Sequence, residues 1–208
     1  MIELLTANTP NGKKISIMLE EIKFEYKVTK INIFKDEQFK PEFIKISPFK
    51  KTPVIIDHEN NKSLFESGAI LIYLGEKSEK FYNKEERTTI NQWLMGQMAY
   101  VGPMLGQHHQ FHHYHQGKSE FGEKRYFDIT RRIYEDLDER LSQSKFLAGE
   151  NYTIADIATW PWIARHKIHD IGLSNFDHLS RWYIEISKRS AVIKGFKFMN
   201  KSAEIDYP

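Results

Sequence analysis

The first 31 residues already restrict the fold. An apolar run, Ile2 to Leu5, is followed by a turn-rich stretch, Thr6-Ala7-Asn8-Thr9-Pro10-Asn11-Gly12. Ile15, Met18, Leu19 and Ile22 then recur at the spacing of one helix face, and Tyr26, Val28 and Ile31 lie in a β-prone stretch. A buried strand, a helix entered at Pro10 or Asn11, and a second strand make a βαβ unit with parallel strands. Phe39 to Ile46 is expected to form a short helix or irregular turn. Val54–Asp57 and Ser63–Phe65 are expected to be strands, joined by a polar hairpin turn from His58 to Lys62. Ser67 is placed to cap a helix through Ala69, Ile70, Tyr73 and Leu74. The order β-α-β, connector, β-β-α is the thioredoxin-like arrangement.

Beyond a polar linker from Ser78 to Glu86 no strand pattern appears. The expected domains are therefore 1–79, thioredoxin-like, and 86–208, all helical. In the second, Thr88 to His115 reads as one long helix bent at Gly102-Pro103, since proline cannot donate to the helix ladder. Glu123 to Leu141 is another. Thr153 and Asp156 open a third in a capping-box pattern, and a last helix runs from about Asp177 to Lys188. Residues 200–208 are expected to be a loose tail, and Trp160, Trp162 and Trp182 to pack in the core.

Composition narrows the chemistry. The 208 residues contain no cysteine, so disulfides, zinc-thiolate centres and a protein thiol nucleophile are excluded. Any sulfur chemistry must use thiols brought by a ligand. With 30 basic and 28 acidic residues the net charge is +2, which gives no argument for nucleic acid. The N-terminus lacks the basic and apolar segments of a signal peptide, and no run reaches membrane-helix length, so a cytoplasmic protein is expected.

Three segments carry candidate chemistry. Thr9 and Asn11 sit where a helix begins, with unpaired backbone N–H groups and partial positive charge. They either cap that helix or help stabilise a thiolate. A free thiol has a pKa of about 8.5, and each unit of lowering requires about 1.4 kcal/mol. Thr52-Pro53 precedes a strand. In a thioredoxin-like layout this proline is the usual cis proline, presenting the Thr52 backbone to an extended peptide; otherwise it is an ordinary trans proline at a strand entry. Glu66-Ser67 at a helix start either caps it or grips an α-amino acid head, the serine taking the carboxylate and the glutamate the ammonium. Along one groove the three would read a thiol, a peptide backbone and an amino-acid head, the order found in glutathione.

Thr9-Pro10-Asn11-Gly12, Gln38-Phe39-Lys40-Pro41-Glu42-Phe43, Ile46-Ser47-Pro48, Leu64-Phe65-Glu66-Ser67-Gly68-Ala69-Ile70, Gly102-Pro103-Met104-Leu105-Gly106-Gln107 and the stretch from Gly149 to Ile157 together resemble glutathione transferases over essentially the whole chain. The likeness is greatest to the bacterial nu class, which is similar to glutathione-dependent disulfide-bond reductases. The resemblance implies a homodimer that takes two glutathione molecules, or glutathione disulfide, per site. It implies reduction of small disulfides without a protein cysteine. Thr9 and Asn11 would hold the thiols. Gln38, Thr52, Pro53, Glu66 and Ser67 would hold the peptide, and Arg132 would reach a carboxylate from the partner subunit. Thr52 departs from the aliphatic residue such proteins carry there, but the contact is through backbone. A conjugating transferase and a non-catalytic glutathione-binding regulatory module are the alternatives.

His108, His109, His112, His113 and His115 include pairs at i, i+4 spacing, which invites a metal. The cluster holds no Asp or Glu. These rings are therefore expected to line the mouth of a second-substrate pocket or to sit on a wet helix face, with no metal.

Overall fold

The computed structural model describes residues Met1–Pro208. They divide into two compact units, Met1–Tyr82 with Arg189–Glu204, and Asn83–Lys188 with Ile205–Pro208.

The first unit is built on a four-stranded mixed sheet in the order β2-β1-β3-β4. Its strands are β1 (Ile2–Thr6), β2 (Tyr26–Lys30), β3 (Val54–Asp57) and β4 (Lys62–Phe65). β1 and β2 are parallel, while β3 runs antiparallel to both β1 and β4. Helix α1 (Pro10–Ile22) joins β1 to β2, a four-residue α2 (Pro41–Ile44) precedes β3, and α3 (Ser67–Ser78) follows β4. Buried Ile2, Leu4, Ile15, Met18, Leu19, Val54, Ile55, Ile70, Leu71 and Leu74 fill the space between sheet and helices.

Helix α1 is covered well beyond the one face that its apolar spacing marks, because the chain returns to it. A seven-residue helix α9 (Ser190–Phe196), which the sequence pattern does not announce, packs along it. Gly195 lies against the Ile17 backbone, so close that an added Cβ would stand 2.6 Å from Ile17 N and Cα. Ser16 donates to the Gly195 carbonyl at 2.7 Å, the Lys13 ammonium lies over the Phe196 ring at 3.5 Å, and Arg189 makes a two-point pair with Glu21 at 2.5 and 2.9 Å. Residues 189–204 thus cluster with the first unit and not with the helical segment that precedes them.

The second unit is helical. Its elements are α4 (Arg87–Gly96), α5 (Gly102–His108), α6 (Glu120–Ser142), α7 (Ile154–Ile163) and α8 (Asp177–Ser187). The single long helix expected from 88 to 115 is realised as α4 and α5 with a π-helical turn after each, at Gln97–Val101 and His109–Tyr114. The first widening comes just ahead of Pro103, which has no N–H to continue the ladder. α7 is buried along its whole length, with Trp160 stacked on Tyr183 of α8, ring centroids 5.4 Å apart. Trp160, Trp162 and Trp182 are buried, as the core reading expects. No helix is long and apolar enough to cross a membrane. The terminal residues are tied down where a loose tail was expected: the Asp206 carbonyl accepts from Tyr183 Oη at 2.7 Å, and its carboxylate pairs with Lys167 at 2.5 Å.

Asp156 anchors α7. Its wholly buried carboxylate accepts from Thr153 N and Leu147 N, both at 2.9 Å, from Trp182 Nε1 at 2.9 Å and from Thr153 Oγ1 at 3.2 Å. Thr153 completes the reciprocal capping box. Replacing Asp156 by alanine would leave three buried N–H donors without an acceptor, each costing about 1–3 kcal/mol. Asp156→Ala is expected to lower unfolding free energy by at least about 3 kcal/mol in urea melts, with Thr153→Ala costing about 1 kcal/mol.

Candidate active site

Strand register determines which residues meet. Val54 pairs with Leu5 of β1 on one side and Phe65 of β4 on the other. The next residues along that row are Thr6, Pro53 and Glu66. Parallel pairing of Thr6 with Lys30 puts the end of β2 at the same edge of the sheet. The β1–α1 turn with Thr9 and Asn11, the Thr52-Pro53 entry, the Glu66-Ser67 corner and the loop after β2 that carries Gln38 all leave from this one end.

Each segment is fixed by its own chemistry. Thr9 is the N-cap of α1, its Oγ1 accepting from Gly12 N at 3.1 Å, and Pro10 occupies the first helical position. Gly12 is required there, since a Cβ would stand 2.4 Å from Thr6 Oγ1 and 2.5 Å from the Ala7 carbonyl. Capping and ligand binding are compatible for Thr9, because its oxygen accepts from the helix while its hydrogen remains a donor. Asn11 lies half-buried in the same first turn.

The Thr52–Pro53 peptide bond is cis. The loop before it is clamped by buried Ser47, whose Oγ donates to the Lys51 carbonyl at 2.8 Å and accepts from Lys51 N at 3.1 Å. In the loop after β2, Glu37 accepts from Asn32 N at 2.7 Å. The Gln38 amide donates to the Ile33 carbonyl at 3.3 Å, while its Oε1 is buried without a hydrogen-bond partner.

The Glu66-Ser67 corner differs from its sequence reading. Ser67 is the first residue of α3 and not its cap; the cap position is Glu66, which makes no side-chain cap bond. Glu66 turns the chain with φ 69° and ψ 114°, a conformation that L-residues rarely adopt. Strain of this kind concentrates at functional sites. Glu66 is exposed, whereas Ser67 is buried, its Oγ accepting from Lys14 Nζ at 3.3 Å. Lys14 went unnoticed in the sequence. The residue is 1 % exposed, and burial pushes the amine down to about 7 against the opposing pull of Glu66. The available signal was a lysine four residues before Met18, on a buried stripe.

Arg132 belongs to the second unit. It is exposed on α6, with Nε donating to the Asp128 carbonyl at 3.3 Å, and lines a surface groove with Phe121, Lys124 and Arg125.

Two of the five clustered histidines are neither wet nor at a pocket mouth. His108 and His109 are buried, while His113 and His115 are exposed. His109 Nε2 lies 2.8 Å from His169 Nε2, and His169 Nδ1 lies 2.7 Å from Tyr134 Oη. One neutral hydrogen-bond chain satisfies all three groups. His108 stacks on His112, centroids 4.7 Å apart, and His112 pairs with Asp170 at 3.1 Å. No three His, Cys, Asp or Glu side chains are grouped to hold a metal ion.

Family models place the chain among known proteins. Residues 2–76 match the glutathione S-transferase N-terminal domain, and residues 98–190 match the glutathione S-transferase C-terminal domain. The chain belongs to the glutathione transferase family. It is 44% identical over 198 residues to the disulfide-bond oxidoreductase YfcG of Escherichia coli (strain K12), covering 92% of each chain. A glutathione transferase homolog from Lodderomyces elongisporus, solved with two glutathione molecules per subunit, superposes with a TM-score of 0.90 at 34% identity, covering 95% of this chain and 98% of that one. A glutathione transferase from Pseudomonas putida, solved with one glutathione disulfide per subunit, gives 0.88 at 36% identity, covering 96% and 92%.

The buried rings make the fold acid-sensitive. Desolvation drives His108 down to about 4, with His112 adding, and His109 down to about 3, with Arg165 adding; His169 is also held well below its ordinary value. In the unfolded chain these rings protonate near 6.5. Their contribution to stability is therefore intact above about pH 6.5 and is lost as pH falls toward the folded values, by about 1.4 kcal/mol per pH unit for each ring that stays neutral. Urea midpoints between pH 7 and 5 are expected to fall accordingly, and His108→Leu to reduce that slope by about one proton's worth.

Proposed function

We propose that this protein is a glutathione-dependent disulfide-bond oxidoreductase of the glutathione transferase family. The observation that carries the reading is the convergence of Thr9, Thr52 and the Glu66-Ser67 corner at one end of the sheet, in a chain with no cysteine of its own. Likeness to a disulfide-bond oxidoreductase, and to structures holding two glutathiones or glutathione disulfide, supports it.

In this reading Thr9 and Asn11 donate to the sulfur of bound glutathione at the positive end of α1, which favours the thiolate. The Thr52 backbone pairs with the peptide, Pro53 shapes that edge, and Gln38 meets the ligand with its buried oxygen. Ser67 receives the γ-glutamyl carboxylate at the head of α3, and Glu66 the ammonium. The thiolate attacks one sulfur of the substrate disulfide. The S–S bond breaks, one half leaves as thiolate, and the other stays as a mixed disulfide with glutathione. A second glutathione thiolate attacks the glutathione sulfur of that species and releases the remaining half. Glutathione disulfide is the oxidised product, and the substrate is reduced to two thiols.

The finer assignments complete the proposal. The protein is a nu-class-like cytoplasmic homodimer, and Arg132 of one subunit binds a glutathione carboxylate in the other, a contact for which a guanidinium fork is well shaped.

Steady-state turnover of a small model disulfide with glutathione is the direct test; glutathione binding without turnover above background would reject the reading. A faster rate on a chloronitroaromatic than on the disulfide would favour a conjugating transferase. Thr9→Ala and Asn11→Ala are each expected to lower kcat/KM by roughly 10- to 100-fold. Thr9→Ser, which keeps the hydroxyl, should retain both rate and the roughly 1 kcal/mol of capping that Thr9→Ala loses. Arg132→Ala is expected to raise the KM for glutathione about tenfold with kcat little changed.

A further inference from the structure

Lysine side chains are almost never fully buried unless paired, and the pairing of Lys14 joins two helix starts. Lys14 reaches from the second turn of α1 to the head of α3 and donates to Ser67 Oγ at 3.3 Å. The contact makes the Ser67 oxygen an acceptor from the amine and so constrains the direction of its own O–H. We propose that Lys14 is a positioning residue for the carboxylate of the glutathione γ-glutamyl group: from beneath the head of α3 it orients Ser67 and supplies the buried positive charge against which that carboxylate settles, so that binding takes up a proton. This rests on the glutathione reading of the site given above.

The electrostatics follow from what surrounds the amine. Glu66, at the head of α3, pulls the amine back toward its charged form. Other ionic groups stand on the neighbouring elements. Arg189, at the start of α9, is paired with Glu21, and Lys194 of α9 is exposed. Glu3 of β1 is held by Thr29, Lys27 and His58. Lys77, at the far end of α3, is paired with Asp57 and Glu59, and Lys13 of α1 lies over Phe196. Desolvation lowers the amine to about 7, so above neutrality much of Lys14 is uncharged. A carboxylate arriving at Ser67 brings a negative charge close to this poorly solvated group and favours its protonated form. The proton is drawn from solvent, and affinity for the ligand falls as pH rises through and above the free-state value.

Isothermal titration calorimetry with S-methylglutathione removes the thiol's share of the linkage, because the blocked sulfur cannot titrate. Binding at pH 8 in two buffers of different ionisation enthalpy is expected to reveal uptake of on the order of 0.8 proton per ligand. The γ-aminobutyryl analogue of S-methylglutathione, which lacks only the γ-glutamyl α-carboxylate and whose amine stays protonated at pH 8, is expected to give no uptake if it binds. Lys14→Met should abolish the uptake and weaken S-methylglutathione binding about tenfold. Lys14→Arg, always charged, should recover affinity without uptake. A purely structural lysine would not move the buffer dependence. S-methylglutathione binding by the wild-type protein with no buffer-dependent heat, or undiminished uptake in Lys14→Met, overturns the proposal for Lys14 and leaves the glutathione reading standing. Should a Lys14 variant fail to fold, the wild-type measurement decides alone. Absence of S-methylglutathione binding overturns the glutathione reading, and the role of Lys14 falls with it.

Discussion

The pairing of β3 with two strands at once is the constraint on which the site depends. Because Val54 bridges Leu5 and Phe65, three turns distant in sequence are forced to leave the sheet at a common edge. A one-residue slip would move every side chain of β3 to the opposite face and take buried Asp57 away from Tyr73 and Lys77. Two helix starts, those of α1 and α3, then lie beside the same edge. The positive ends of both helices and the Thr52 backbone are delivered by sheet geometry before any side chain is considered.

Onto that frame the side chains add polarity without cysteine. Thr9 serves its helix with its oxygen and keeps a hydrogen to donate; Ser67 is held by an amine from α1. The same α1 thus carries both the Thr9 turn and the lysine that reaches the head of α3. Its first turn can sit this close to β1 only because position 12 is glycine.

Strand positions were legible in the sequence because short apolar runs were separated by strong turn formers, and all four strands lie within a residue or so of where the pattern put them. The capping box at Thr153 and Asp156 was legible for the same local reason. What escaped depends on distant partners. Ser67 looked like a cap because serine favours caps, yet the positive φ of Glu66 shifts the helix start by one residue. Lys14 went unseen because spacing reveals the apolar stripe and not what lies behind it. His108 and His109 were indistinguishable in sequence from His113 and His115, since histidine is tolerated both in water and in a hydrogen-bonded core; Phe127 and Tyr134 of α6, Trp162 of α7 and the His169 turn decide. α9 is only seven residues long and contains a glycine, too little for a periodic signal.

That last helix gives the molecule an order of assembly. The thioredoxin-like unit is discontinuous along the chain: its sheet and α1 come from the first 82 residues, and the piece that covers α1 comes from 189–204. During synthesis the apolar back of α1 therefore waits for more than a hundred intervening residues to emerge before Gly195 can seat against Ile17. Closing so long a loop is entropically slow, and the waiting surface is one that a chaperone or a wrong neighbour would find first. The half of the protein that is begun first cannot be completed until nearly the whole chain has been made.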